Sequence, residues 1–446
     1  MKIIQFEDKG LSHYSYAILS EGEIALVDPA RNIRPYLDFA NQHQAKIKAV
    51  IETHPHADFI SGHQELHAVT GATLYCSKWV GASYPHVSFD EGDAIRLGTL
   101  ALYALNTPGH SPDSISVVVE SEGKKKAVFT GDTLFIGDCG RPDLRENVGN
   151  LRASQKELAK QMYRSLREKL LPLPPEVIVY PAHGAGTLCG KALREANQST
   201  MGEEKEHNWS LGTMSEKDFV QILTSDQPFI PYYFRHDVEW NKRGVPPLEE
   251  ALSAVPLLDS FDSIQKGFFI VDGRPGLKFK KGHLPRAFNI QNGGKFETWL
   301  GSVLKPEEKF YLVGSDLREA KELVYKAAKI GYEQNVLGIL ADTGQFTLGS
   351  PLLDLEEFKK NPEGYTIVDV RNASETKTGK AFEHSLLIPL PELRDRLSEL
   401  PLHKPIVVHC AGGYRSAIGS SLLAEKWGNQ VPIFDLGEKV KEFAAL

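Results

Sequence analysis

Short apolar runs recur through the first half of the chain, each broken by polar residues at its end. Ile47–Ile51 is the plainest. A run of that length reads as a buried strand. Met1–Phe6, Ser15–Leu19, Ile24–Val27, Thr73–Cys76, Ala94–Leu97, Leu100–Asn106, Ile115–Val119, Ala127–Thr130 and Val177–Tyr180 read as further strands. Helical spacing replaces this pattern over Ile33–Gln42, with Pro35 in its first turn, and over His63–Val69, which ends at Gly71. The stretch Leu151–Leu171 predicts one long amphipathic helix, stopped by Pro172, Pro174 and Pro175. Ser199–Lys205 begins like a capped helix. Interleaved strands and helices predict an α/β protein.

Candidate chemistry sits at the strand ends. Thr53-His54-Pro55-His56-Ala57-Asp58 follows the Ile47–Ile51 strand, His110 and Asp132 follow two others, and His183 follows Val177–Tyr180. A strand end holds a ligand at a fixed distance. Imidazole and carboxylate together suit a divalent metal such as zinc or iron. His63 and His67 share a helix face, but Gln64 stands where a zincin has its glutamate, so they read as surface or packing residues.

These motifs, in this order, resemble the metallo-β-lactamase superfamily. Gly131-Asp132-Thr133-Leu134-Phe135 and Gly137-Asp138-Cys139-Gly140-Arg141-Pro142-Asp143 resemble its persulfide dioxygenase branch. The resemblance implies an αββα sandwich over residues 1–247. The superfamily's usual HxHxDH ends here in Phe59, which cannot coordinate, so one metal is expected rather than two. By resemblance its ligands are His54, His110 and Asp132. Such a two-histidine, one-carboxylate face suits one Fe(II) per chain, with open positions for O2 and substrate. His56, Asp58 and His183 then orient ligands or bind substrate. Arg141 either clamps the carboxylate of a thiol cofactor or forms a structural ion pair.

A chain of 446 residues requires several domains. Its 24% charged and 41% hydrophobic residues are those of a globular protein, and a net charge of −7 offers no footprint for nucleic acid. No apolar run approaches a membrane span, and the N-terminus has neither a signal nor a transit pattern. Four scattered cysteines argue for a reducing compartment, so a cytoplasmic location is expected. Cys139 and Cys189 lie near the predicted pocket but read as small buried hydrophobes.

The remaining chain repeats itself. Ile270-Val271-Asp272-Gly273-Arg274 returns as Ile367-Val368-Asp369-Val370-Arg371, an offset of 97 (369 less 272). Two duplicated α/β domains are predicted, over 248–349 and 350–446. In the second, the Ile406–His409 strand runs into Cys410-Ala411-Gly412-Gly413-Tyr414-Arg415-Ser416 and then a helix. Backbone amides at that turn form an anion nest around the thiol, and Arg415 and the helix dipole favour its thiolate. This resembles the rhodanese family, whose Cys-x4-Arg loop is too short for a phosphatase and suits a sulfane sulfur carried on cysteine. The first copy has Val313 at the equivalent position, so it is expected to be structural or to serve in docking.

Taken together, the resemblances imply a persulfide dioxygenase–rhodanese fusion. It would oxidise a low-molecular-weight thiol persulfide with O2 to sulfite and form or consume thiosulfate at Cys410; a homo-oligomer is expected. The alternatives are a dinuclear zinc thioester hydrolase resembling glyoxalase II fused to a rhodanese, and a non-catalytic sulfur carrier or scaffold.

Overall fold

The computed structural model describes residues 1–144, 154–344, 346, 348–377 and 379–443. It divides into two compact units: Met1–Glu250 with Lys329–Gly331, and Ala251–Ala328 with Tyr332–Leu446.

In the first unit two six-stranded sheets stack. One runs Lys2–Asp8, His13–Ser20, Glu23–Val27, Lys46–Ile51, Thr73–Cys76 and Val87–Ser88 in that order, the first three antiparallel and the rest added in parallel. The other runs Ser199–Thr200, Ile178–Pro181, Lys124–Gly131, Ile115–Ser121, Leu100–Asn106 and Ala94–Leu97. Period-two alternation sends Val117 and Val119 inward, against Tyr16, Val27 and Ile51 of the facing sheet. Val118 points outward, onto Ala159, Met162 and Leu166 of the covering helix. The opposite outer layer packs Tyr36, Phe39 and Leu66 of two helices on Leu26, Val50 and Leu74. The result is the αββα sandwich, its apolar interior closed on both sides.

The long helix departs from expectation. Its proposed start at Leu151 lies outside the described residues. The described part is α-helical over Gln155–Arg164 and then widens into a π-helix over Ser165–Leu170. Such widening is common at functional sites. Here Ser165 Oγ donates to the Pro108 carbonyl at 2.7 Å, two residues before His110.

The second unit holds two four-stranded parallel sheets of identical order. One is Ala287–Asn289, Phe269–Asp272, Phe310–Gly314 and Val336–Ala341; the other is Leu386–Leu387, Thr366–Asp369, Ile406–His409 and Ile433–Asp435. The central strands are buried along their length, which is why they read as unbroken apolar runs. The helices after them, Leu317–Lys329 and Tyr414–Trp427, start 97 residues apart (414 less 317), so the repeat extends to the structure. Among the described residues no helix is long and apolar enough to cross a membrane.

Candidate functional site

The polar strand ends of the first unit converge on one edge of the sandwich. His54, His110 and Asp132 are each at most 2% exposed, and one ligand atom from each lies within 4.8 Å of the others. His110 Nε2 is 3.4 Å and His54 Nε2 3.9 Å from Asp132 Oδ2. Two glycines permit this approach. A Cβ on Gly140 would sit 2.0 Å from the Asp132 carbonyl oxygen and 3.0 Å from His110 Nδ1. Gly131 adopts φ +50°, and a Cβ there would strike Thr53 Oγ1 at 2.5 Å.

The far ring nitrogens are fixed. His110 Nδ1 donates to the Arg141 carbonyl at 2.9 Å, and a carbonyl can only accept. Thr53 Oγ1 donates to Asp28 Oδ2 at 2.9 Å, so it accepts from His54 Nδ1 at 3.0 Å. Asp28 also receives the Thr53 amide at 2.7 Å. Both rings therefore turn an Nε2 lone pair toward Asp132. Burial holds His110 below its ordinary range despite the Asp132 carboxylate, which keeps the ring neutral, as a ligand must be. Both Asp132 oxygens are buried without a hydrogen-bond partner. Two imidazoles turned inward through Nε2 and a buried carboxylate without a hydrogen-bond partner fit a divalent cation.

His56, Asp58 and His183 form a second ligand-spaced cluster beside the first. His183 Nε2 is 3.4 Å from Asp58 Oδ2 and 3.5 Å from Asp132 Oδ1. Burial opposes the charged ring, but the Asp58 and Asp132 carboxylates outweigh it and bring His183 up to about 9. His56 Nε2 faces Asp28 Oδ1 at 3.1 Å. Phe59, 1% exposed, packs its ring on His13 at 3.8 Å and on His56 at 4.3 Å. Burial, with His183 and His56 nearby, depresses His13 to about 3.

Of the two roles expected for Arg141, its contacts are those of the structural ion pair. Its five N–H donors go to Asp143 twice, at 2.7 Å each, and to the carbonyls of Leu188, Phe229 and Pro228. It is a buried structural ion pair that ties three loops behind His110. Sequence reasoning missed Asp28 and Thr53 as supports of His54. It also read Cys189 only as a hydrophobe. Cys189 is buried, and its thiol lies within ligand distance of Asp132 and His183; burial pushes that thiol well above its usual range.

In the second unit the Ile406–His409 strand delivers Cys410, 2% exposed, to the start of the Tyr414–Trp427 helix. The Gly413 amide donates to Cys410 Sγ at 3.1 Å, with Gly413 at φ +97°. Ala411 and Gly412 are exposed at the mouth of the loop. Tyr414 Oη donates to the Gln291 carbonyl of the first copy at 2.6 Å. Arg415 engages Glu375 two-pronged, at 2.5 and 2.8 Å, and its guanidinium carbon lies 5.9 Å from the Trp299 ring. Glu375 was not foreseen.

An αββα sandwich with histidine and aspartate ligands gathered at one edge defines a metal-dependent protein of the metallo-β-lactamase fold, here followed by a cysteine-loop α/β unit. The Metallo-beta-lactamase superfamily model matches residues 8–183, and the Rhodanese-like domain model matches residues 354–440. The mitochondrial persulfide dioxygenase ETHE1 of Homo sapiens is 31% identical over 203 residues, 45% of this chain and 71% of that protein. A cytoplasmic hydroxyacylglutathione hydrolase of Arabidopsis thaliana is 36% identical over 181 residues, 38% of this chain and 63% of its own. A metallo-beta-lactamase crystal structure from Staphylococcus aureus subsp. aureus COL superposes with a TM-score of 0.70 at 32% identity, covering 76% of this chain and 99% of its own. The chain belongs to the metallo-beta-lactamase superfamily, with persulfide dioxygenases among its relatives, and carries a C-terminal rhodanese-like domain.

Proposed function

We propose that this protein is an iron-dependent persulfide dioxygenase joined to a sulfurtransferase, acting in sulfide detoxification in the cytoplasm. The domains would be 1–247 for oxidation, 248–349 as a cysteine-less rhodanese-like domain, and 350–446 for transfer. The observation that carries the reading is the His54/His110/Asp132 cluster, with both Nε2 lone pairs aimed at an unsatisfied carboxylate. The likeness to persulfide dioxygenases supports it.

The overall oxidation is RSSH + O2 + H2O → RSH + SO3²⁻ + 2 H⁺. Iron held by the three ligands would supply the one-electron chemistry that O2 requires. Asp28 and Thr53 hold His54 in one tautomer, and the Arg141 carbonyl does the same for His110. His183 and Asp58 border the cluster, where a proton can be held beside the reacting sulfur. In the transfer step the Cys410 thiolate attacks the outer sulfur of a persulfide. The donor S–S bond breaks and RS⁻ leaves. Sulfite then attacks the sulfur held on Cys410, the new S–S bond breaks, and thiosulfate departs with the thiolate restored. All four cysteines are free, as persistent thiol chemistry requires.

Anaerobically purified protein should carry about one iron per chain and consume O2 with a thiol persulfide. His110→Ala should abolish both. A second reading, a dinuclear thioester hydrolase, is favoured by the ligand spacing of His56, Asp58 and His183 and by the hydrolase relatives. Two zinc ions per chain, thioesterase turnover and no O2 uptake would establish it instead.

A further inference from the structure

We propose that Glu375 is a specificity-determining residue of the Cys410 site: its carboxylate occupies the seat on Arg415 that a sulfur oxyanion takes, and only a dianion displaces it. The inference rests on the sulfurtransferase reading and adds the selection of its anionic substrate.

The Arg415–Glu375 pair is two-pronged, with Nη1 on Oε2 and Nη2 on Oε1. A guanidinium fork meets a carboxylate and a tetrahedral oxyanion through the same parallel donors. Glu375 therefore covers the face that sulfite or thiosulfate would use. The carboxylate is braced for this. It caps its own short helix by accepting the Asn372 amide at 2.9 Å. Trp299 of the first copy lies near the same guanidinium, and Cys410 lies within electrostatic reach of it. The other cation of the site is also committed: Arg371 binds Asp369 at 2.7 Å. Both of these arginines are thus paired with carboxylates inside the protein. A monoanion gains nothing by replacing Glu375, whereas a dianion such as sulfite or thiosulfate offers the fork twice the charge.

The repeat supplies an internal control. The offset of 97 maps Glu375 to Lys278 and Arg415 to Arg318. Both are exposed, and two cations cannot pair. The carboxylate–guanidinium lock exists only in the copy that has the thiol. A lock needed for the fold alone would be expected in both.

The test uses the full chain with Glu375→Gln, which keeps an acceptor for the Asn372 amide and removes the charge. Two readouts are followed. The first is KM for thiosulfate with cyanide as acceptor. The second needs no turnover: the ratio of Cys410 alkylation rates by iodoacetate and by neutral iodoacetamide, followed on the Cys410 peptide by mass spectrometry. In Glu375→Gln the ratio should rise, and KM for thiosulfate fall, by about fivefold or more. Inorganic sulfate should protect Cys410 at correspondingly lower concentration. Glu375→Asp, which restores the charge, should return the ratio toward wild type, and O2 uptake with persulfide should be unchanged throughout. An unchanged ratio, with kcat and Tm falling together, would overturn the proposal and leave a structural ion pair. A raised ratio in a protein whose wild type transfers no sulfur would support the anion seat and refute the transfer reading beneath it.

Discussion

The two rhodanese-like copies share a scaffold and differ at the chemistry. In the first, Arg274 Nε donates to Asp272 Oδ1 at 3.0 Å and Nη2 to the Gly282 carbonyl at 2.8 Å. In the second, Arg371 repeats both bonds, to Asp369 at 3.0 Å and to the Gly379 carbonyl at 3.1 Å. The Asp-x-Arg motif is therefore a fastener that pins the loop after the first central strand in both copies, with or without a thiol. What differs is the next layer. Val313 is buried where Cys410 presents a thiol, and exposed Lys278 and Arg318 replace the Glu375–Arg415 lock. The lesson is that duplication kept the packing residues and released the reactive ones.

The contrast can be broken most directly at the thiol. Cys410→Ala should reduce thiosulfate:cyanide transfer to background, a fall of about three orders of magnitude or more, while circular dichroism stays native. Retained transfer would mean that another group carries the sulfur. Next in size, Arg415→Lys removes the two-pronged donor but keeps the charge; KM for thiosulfate should rise about tenfold or more, and an unchanged KM would divorce Arg415 from anion binding. The reverse experiment is Val313→Cys. It should yield no transfer above the Cys410→Ala background when built on that variant, because Asp316 stands where Gly413 donates its amide to the thiol, and the equivalent Arg318 is exposed. Activity there would show that loop placement is sufficient.

The smallest effect concerns how the copies are joined. Arg394 of the second copy forks onto Glu308 of the first at 2.7 Å twice, and also donates to the Val303 carbonyl. Burial would raise the Glu308 carboxyl, but the Arg394 fork and the Lys305 amide outweigh it and hold it below its ordinary value of 4.5. A carboxyl depressed on folding stabilises the protein above its unfolded pKa, and the contribution fades as pH falls through the folded pKa. Glu308→Gln should cost about 1 kcal/mol near neutral pH. Thermal melts of the two proteins should then converge below about pH 4. A constant gap at all pH values would show that the charge is irrelevant.

Much of the fold was legible because each strand is buried on one or both faces and carries its period or its apolar run openly, as Val117–Val119 and Ile406–His409 do. The ligand candidates were legible because they sit at strand ends, where an apolar run stops abruptly at a histidine or aspartate. What could not be read is everything that depends on pairing across the chain. Asp28 supports Thr53 from 25 residues away. The role of Arg141 was undecided until the Leu188, Pro228 and Phe229 carbonyls were seen to take its donors. Glu375 was hidden because this copy departs from the usual pattern at Gly379–His384, which drew attention away from the acid four residues before Gly379. The π-helical turn at Ser165 has no periodic signature, since the apolar spacing runs through it.

The most direct test of two coupled chemistries on one chain is the product balance during aerobic turnover of a thiol persulfide. Sulfite, thiosulfate and O2 are measured together in wild type and in Cys410→Ser, against a protein-free control. The account predicts thiosulfate from wild type, and undiminished O2 uptake with accumulating sulfite from Cys410→Ser. Thiosulfate at the wild-type rate from Cys410→Ser, or loss of its O2 uptake while it remains folded and iron-loaded, would contradict it.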